Sequence, residues 1–220
     1  MQTAQKYVIF FDIESVGIPS KDKLAFYDIP LIEISFVVVD MLKLEIVDKV
    51  EITFPYMYFD NLEYSMQAQE VHGITPEMQK SKAVTLKEAH KQMKDMFAKY
   101  KNPRLKCTLC GHNSVGFDTP FLKNFFEHMN DNLDNYVLFN VDTMMLAQWA
   151  ALEQENYKLG TCTNLYGIEL VDAHRASTDT EATAKLGIEF IKKLRGEGAS
   201  VSEGGKKIRG IVAWETTTVS

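Results

Sequence analysis

Five residues in three short stretches have the types needed to work on a phosphate ester. They are Asp12 and Glu14 in Phe11-Asp12-Ile13-Glu14-Ser15, Asp118 at the end of Asn113-Ser114-Val115-Gly116-Phe117-Asp118, and His174 and Asp179 in His174-Arg175-Ala176-Ser177-Thr178-Asp179. Carboxylates are hard oxygen donors, the kind that Mg²⁺ or Mn²⁺ takes together with waters and substrate phosphates. A histidine, whose ordinary pKa lies near 6.5, can accept a proton at neutral pH. Four acids and one such base are what hydrolysis of a phosphodiester at a pair of divalent cations requires.

Taken singly, each signal is ordinary. A D-x-E triplet recurs at Asp179-Thr180-Glu181, and His90 and Asp95 repeat the spacing of His174 and Asp179. In that second instance Leu86, Ala89, Met93, Met96 and Phe97 form the apolar stripe of a helix, so His90 and Asp95 read as surface residues. Asp118 could equally cap a helix, and Asn113 could simply occupy a turn.

The elements around these residues give them direction. Tyr7 to Phe11 is an apolar run read as a buried strand, and the two-residue separation of Asp12 and Glu14 sends both carboxylates to one side. Asp118 follows the strand-like Leu105 to Leu109 and opens a helix-period segment running through Phe126. Asp179 opens another, in which Ala182, Leu186, Phe190, Ile191 and Leu194 keep helical spacing, with His174 in the loop before it. Strands are expected near 6–12, 31–40, 45–54, 105–111 and 137–141, and helices near 64–71, 85–100, 118–129, 143–154, 160–166 and 178–195. That order, three strands followed by alternating helices and strands, indicates an α/β sheet with helical layers.

Each acid therefore falls at a strand end or a helix start, in an order that resembles the DnaQ-like, or DEDDh, 3′ to 5′ exonucleases. Further family-like stretches are Val71-His72-Gly73-Ile74-Thr75 with Glu77, Val141-Asp142-Thr143, and Tyr157-Lys158-Leu159 running to Tyr166-Gly167-Ile168. The resemblance covers about residues 7 to 195. Ser15-Val16-Gly17 departs from the common Thr-Thr-Gly, and Asn113 is one residue further from Asp118 than in many members, which implies a slightly longer turn. The implied fold is an RNase H-like mixed five-stranded sheet flanked by helices. The implied chemistry uses two Mg²⁺ or Mn²⁺ ions: Asp12, Glu14 and Asp179 hold one, Asp12 bridges to the second, and Asp118 reaches it directly or through water. Ions about 4 Å apart would activate the attacking water and stabilise the leaving 3′ oxygen. His174 would take the water's proton. Ser15, Val16, His72, Gly73 and Asn113 would surround the terminal nucleotide, although His72 reads equally as a loop or capping histidine.

Composition sets the frame. A chain of 220 residues, 45% hydrophobic, suits one globular domain, here 1–195, with 196–220 as a flexible linker and tail. Gly196-Glu197-Gly198-Ala199-Ser200 and Gly204-Gly205-Lys206-Lys207 carry the composition shift. The β-prone end of the tail could dock on this domain, another copy or a polymerase, or stay disordered. The lack of a secretory signal or membrane-length apolar run makes a cytoplasmic protein with no membrane partner the expectation, and three cysteines agree with a reducing compartment. Cys107 and Cys110 form a C-x-x-C with no partner pair to complete a zinc site. The net charge of −6 argues against a protein that holds nucleic acid by long-range attraction. It is compatible with an enzyme that grips one strand end, where bound cations offset the acids. Lys185, Lys192, Lys193 and Arg195 could form a local basic surface, or solvate a helix face. Phe10, Phe117, Phe121 and Phe125 could stack bases, but their strand and helical spacing reads as core.

The expected partner is a nucleic acid with a free 3′ end, single-stranded DNA ahead of RNA, with a DNA polymerase as a further partner in proofreading. The expected products are nucleoside 5′-monophosphates. Alternatives are an exoribonuclease that trims RNA or degrades oligoribonucleotides, and a non-catalytic module that binds a strand end or a polymerase.

Overall fold

The computed structural model describes residues 6–17, 29–56, 66–102, 105–150, 154–170 and 175–196, with the backbone of 201–203 and 206–208. Five strands form one mixed sheet: β1 (Tyr7–Ser15), β2 (Leu31–Asp40), β3 (Glu45–Thr53), β4 (Cys107–Gly111) and β5 (Val137–Asp142), in the order β3-β2-β1-β4-β5. β1 is central, antiparallel to β2 and parallel to β4, which is parallel to β5. The helices are α1 (Met66–His72), α2 (Pro76–Lys82), α3 (Leu86–Tyr100), α4 (Asp118–His128), α5 (Thr143–Trp149), α6 (Leu159–Leu165) and α7 (Ala176–Leu194). Two short strands, β6 (Val201–Glu203) and β7 (Lys206–Ile208), pair antiparallel after α7, inside the segment expected to be a linker.

Alternation along β1 divides the molecule into two layers. Ile9, Phe11 and Ile13 face the larger core, where Phe36, Phe97 and Phe126 continue a chain of aromatic rings across β2, α3 and α4. Phe121 and Phe125 are buried there and Phe117 packs against it, as their spacing indicates. The opposite row, Val8 and Phe10, packs with Val37, Val39 and Cys110 under Ala184 and Ile188 of α7. Asp12 and Glu14 extend that same row.

Gly187 sets how closely α7 lies on the sheet. A Cβ built there would sit 2.5 Å from Phe10 Cζ and 2.6 Å from Cε1, and the Phe10 ring is only 2% exposed. Eight residues toward the N-terminus, at 1.5 Å of rise each, α7 lies roughly 12 Å further along the sheet. Asp12 and Glu14 lie about 7 and 13 Å along β1 from Phe10, so the close approach at Gly187 brings Asp179 over them.

α7 is buried on two sides. Leu186 and Phe190 pack with Ala147 and Cys162 of α5 and α6, while Leu194, expected in the apolar stripe, is 77% exposed. The helix α2 was not expected; Thr75 caps it by accepting the Met78 N–H, and Pro76 starts it. His90 is a correction. It is partly buried, with Nε2 2.9 Å from Asp131 Oδ2 and its ring 5.0 Å from that of Phe126, whereas Asp95 is exposed, as expected, and pairs with Lys91. No helix among the described residues is long and apolar enough to cross a membrane.

Replacing Gly187 with Ala would favour an isolated helix by about 1 kcal/mol. Here it should instead destabilise by about 1 to 3 kcal/mol, because a buried ring must yield. Urea unfolding measures the sign.

Candidate active site

The site lies at the carboxyl ends of the parallel strands. Pairing of β1 with β4 stops at Phe10 and Cys110, while β1 runs on to Ser15. The side of β1 that β4 leaves is taken by Asp118, whose Oδ1 accepts the Ile13 N–H at 3.1 Å. Asp118 is therefore not the helix cap that its position also allowed. Phe117 occupies the cap position without a side-chain bond, and Asp118 reaches back to the central strand instead.

Asp12, Glu14 and Asp179 present carboxylate oxygens that all lie within 4.8 Å of one another. Among the described residues this is the one His, Cys, Asp or Glu cluster compact enough to hold a cation. The electrostatics match that geometry. Burial, then the charges of Asp118, Glu14 and Asp179, hold the Asp12 carboxyl well above the usual range. Burial, then Asp179, Glu33 and Asp118, push Glu14 up to about 8, opposed by Arg175. Burial likewise pushes Asp118 up to about 7, against the Ile13 N–H that favours its charged form. Acids that strain against one another in this way, all of them hard oxygen donors, fit a divalent metal. Glu181, the second acid of the other D-x-E triplet, is outside the cluster and paired with Lys49 and Lys185.

The loop between β4 and α4 is organised by Asp142, the last residue of β5. Its carboxylate accepts the N–H groups of Asn113 at 2.9 Å, Val115 at 3.3 Å and Met144 at 2.9 Å. Asn113 itself has φ 61°, a left-handed conformation that asparagine tolerates, and is exposed. His112 is tied to Thr143 Oγ1 and the Tyr157 carbonyl, so the family-like stretches around 142 and 157 serve as supports for this loop.

The remaining residues named from sequence are dispersed in character. Ser15 is buried and its hydroxyl donates to the Gly17 carbonyl at 2.7 Å. Val16 is buried in the larger core and its N–H donates to Pro30 O at 3.1 Å. His72 is 4% exposed; its Nδ1 accepts the Ile74 N–H at 3.0 Å, and burial with the nearby Arg175 lowers its pKa to about 4. The ring is thus neutral at physiological pH with its proton on Nε2. Gly73 follows with φ 66° and open space around it. His174 lies outside the described residues. Of the basic residues of α7, Lys185 pairs with Glu181 and Lys192 with Glu189, while Lys193 donates to the Tyr166 hydroxyl and Arg195 to the Met41 carbonyl, neutral partners that leave their charges in place.

Glu33 and Arg175 were missed. Glu33 stands directly opposite Glu14 in the register of β1 and β2, 1% exposed, with Oε2 3.2 Å from Arg175 Nη2. A charged residue inside the apolar run Leu31 to Val39 was the signal available, since such residues are rarely buried without a partner.

The RNase_T family, described as Exonuclease, matches residues 9–186, a stretch that holds the whole acid set. The chain belongs to the DnaQ-like 3′ to 5′ exonuclease family. It is 30% identical over 197 residues, 89% of its length, to the PolC-type DNA polymerase III of Bacillus cereus, and 35% identical over 96 residues, 43% of its length, to that of Caldanaerobacter subterraneus. It spans only 12% and 7% of those proteins. In fold it is similar to E. coli exonuclease I in complex with a dA16 oligonucleotide, with a TM-score of 0.69 at 19% identity over 88% of this chain and 42% of that one. The sheet is accordingly of the RNase H-like exonuclease type, as the family resemblance implies.

The raised carboxyls fix a pH dependence. Glu14, at about 8 when folded and near 4.5 when unfolded, adds stability to the metal-free protein below pH 4.5 that is lost as pH rises toward 8. Mn²⁺ should therefore raise the melting temperature more at pH 8 than at pH 5.5. Asp118→Asn, which keeps an acceptor for Ile13, should stabilise the metal-free protein by on the order of 1 kcal/mol at pH 8, less at pH 5, and not at all below the unfolded pKa of 3.8. Thermal melts with and without EDTA report both.

Proposed function

We propose that this chain is a divalent-metal-dependent exonuclease that removes nucleotides from the 3′ ends of single-stranded DNA, releases nucleoside 5′-monophosphates, and serves as a proofreader. The observation that carries the reading is the convergence of Asp12, Glu14 and Asp179 with Asp118 against the same strand. A protein that only bound strand ends would gain nothing from acids that repel one another and the phosphates alike. The DNA polymerase relatives and the oligonucleotide complexes of exonuclease I support DNA as the substrate.

In this reading Asp12, Glu14 and Asp179 hold one Mg²⁺ or Mn²⁺ ion, with Asp118 contributing to a second. The bound cations supply Lewis-acid polarisation of the scissile phosphate and lower the pKa of the attacking water. Asp12 and Glu14 sit on a buried central strand, so their carboxylates are aimed with little freedom to turn. His174, next to Arg175 in the chain, accepts the proton of the attacking water. The backbone of Ser15 and Val16, the His72-Gly73 corner and Asn113 surround the terminal nucleotide. A polymerase is the partner that a proofreader would serve, and the domain would span 1–195, with 196–220 as a tail.

The test is incubation of 5′-labelled single-stranded DNA and RNA with the protein in Mg²⁺, Mn²⁺ or EDTA. DNA should shorten from its 3′ end only with metal, circular DNA should survive, and a mismatched 3′ end should be trimmed faster than a paired one. Asp12→Ala should lose on the order of a thousandfold in rate, equivalent to about 4 kcal/mol of transition-state stabilisation. His174→Ala should also be impaired while still binding DNA. Folded wild-type protein that binds strands but shortens none of them under any metal would overturn the reading.

A further inference from the structure

All ten residues of β2 are buried, among them two carboxylates: Asp40 at the end of the strand and Glu33 within it. Glu33 is on the α7 side of the sheet, in register with Glu14, and its Oε2 lies 3.2 Å from Arg175 Nη2. Its other oxygen, Oε1, has no hydrogen-bond partner among the described residues. Stability does not explain such a pair, because apolar side chains of similar volume in its place are often neutral or stabilising. Val37 and Val39 of the same strand show what an apolar continuation of the row would look like.

Arg175 is placed to do something else. It is the N-cap residue of α7, and its carbonyl accepts the N–H groups of Thr178 and Asp179, each at 3.0 Å. Its guanidinium meanwhile is tied to β2 and lies 4.0 Å from Glu51 of β3. α7 is held to the sheet along its length, by the close packing of Gly187 on Phe10, by Lys49 of β3 on Glu181 and by the Thr180 hydroxyl on the Ser35 carbonyl, and Arg175 on Glu33 is the tie at its very start. Asp179 belongs to the turn that Arg175 begins. A helix end frays unless something holds it, and a cation site tolerates little displacement of a ligand.

We propose that Arg175, clamped by Glu33, is a positioning residue for the cation site: it holds the first turn of α7 against β2 so that the Asp179 carboxylate meets those of Asp12 and Glu14. The role rests on the reading that these three acids bind a divalent metal. In this role the pair acts on a metal ligand and not on the nucleic acid. Its loss should therefore appear as weaker metal binding rather than weaker DNA binding.

Calorimetric titration of Mn²⁺ into the full chain, for wild type, Arg175→Ala, Arg175→Lys, Glu33→Gln and Asp12→Ala, is the test, with metal-free melting curves alongside. Arg175→Ala and Glu33→Gln should bind Mn²⁺ roughly 10- to 100-fold more weakly, the usual cost of losing a partner that orients a metal ligand. Arg175→Lys should fall between, since an ammonium keeps the charge without the planar fork. Cleavage by these variants should recover as Mn²⁺ is raised, with KM for DNA changed by less than about threefold, a split that general destabilisation would not produce. If Arg175→Ala fails to fold, Glu33→Gln, which preserves shape, carries the same comparison. Wild-type affinity for Mn²⁺ in Glu33→Gln, or a raised KM with unchanged Mn²⁺ affinity, would overturn the positioning role alone. Wild-type protein that binds no Mn²⁺, or Asp12→Ala that binds it equally well, would overturn the cation site beneath it.

Discussion

Apolar packing forces like charges together in this molecule, and much of its architecture is concerned with that contact. Asp12, Glu14 and Asp179 repel across less than 4.8 Å, with Asp118 adding its charge from the side. What overcomes the repulsion is the burial of Phe10, Val37, Val39, Ala184 and Ile188 between sheet and helix, at roughly 25 cal/mol for each Å² removed from water. Gly187 makes that burial close enough to matter. The free energy of the packed layer is thus partly held as electrostatic strain at its edge, where a cation can relieve it.

The sheet topology explains why the strain collects at one place. β1, β4 and β5 run parallel, and their carboxyl ends share an edge of the sheet. Ligands of open α/β sheets bind at that edge, where chains leave the strands for loops and helices. β4 stops before β1 does, which exposes the Ile13 N–H to a side chain rather than a backbone carbonyl. Asp118 fills the vacancy and is thereby aimed at the cluster. Asp142 does for the preceding loop what Asp118 does for the strand, gathering three N–H groups on one carboxylate. Asp118 and Asp142 thus each tie a loop or strand end at this edge of the sheet by accepting backbone N–H groups.

Most of this was legible in the residues themselves. β2 spans the expected 31–40, and the two-residue spacing of Asp12 and Glu14 correctly placed both on one face, because strand alternation is a local property. What escaped was non-local. His90 reads as a surface residue from its own helix, but Asp131 and Phe126 close over it from other elements. The lysines of α7 look like a basic surface in sequence, but Lys185 and Lys192 are paired with Glu181 and Glu189 in space. α2 is a single short, largely exposed segment whose one buried residue is Gln79 and whose Thr-Pro start was the only strong signal. Glu33 and Arg175 are 142 residues apart, and no periodicity links them.

The central claim is that these carboxylates form a divalent-cation site at the junction of β1 and α7, and anomalous diffraction from crystals soaked in Mn²⁺ addresses it directly. A peak within about 2.2 Å of oxygens from Asp12, Glu14 and Asp179, lost on chelation, is expected. Crystals of catalytically active protein whose Mn²⁺ peak lies elsewhere, with those three carboxylates still clustered and metal-free, would contradict it.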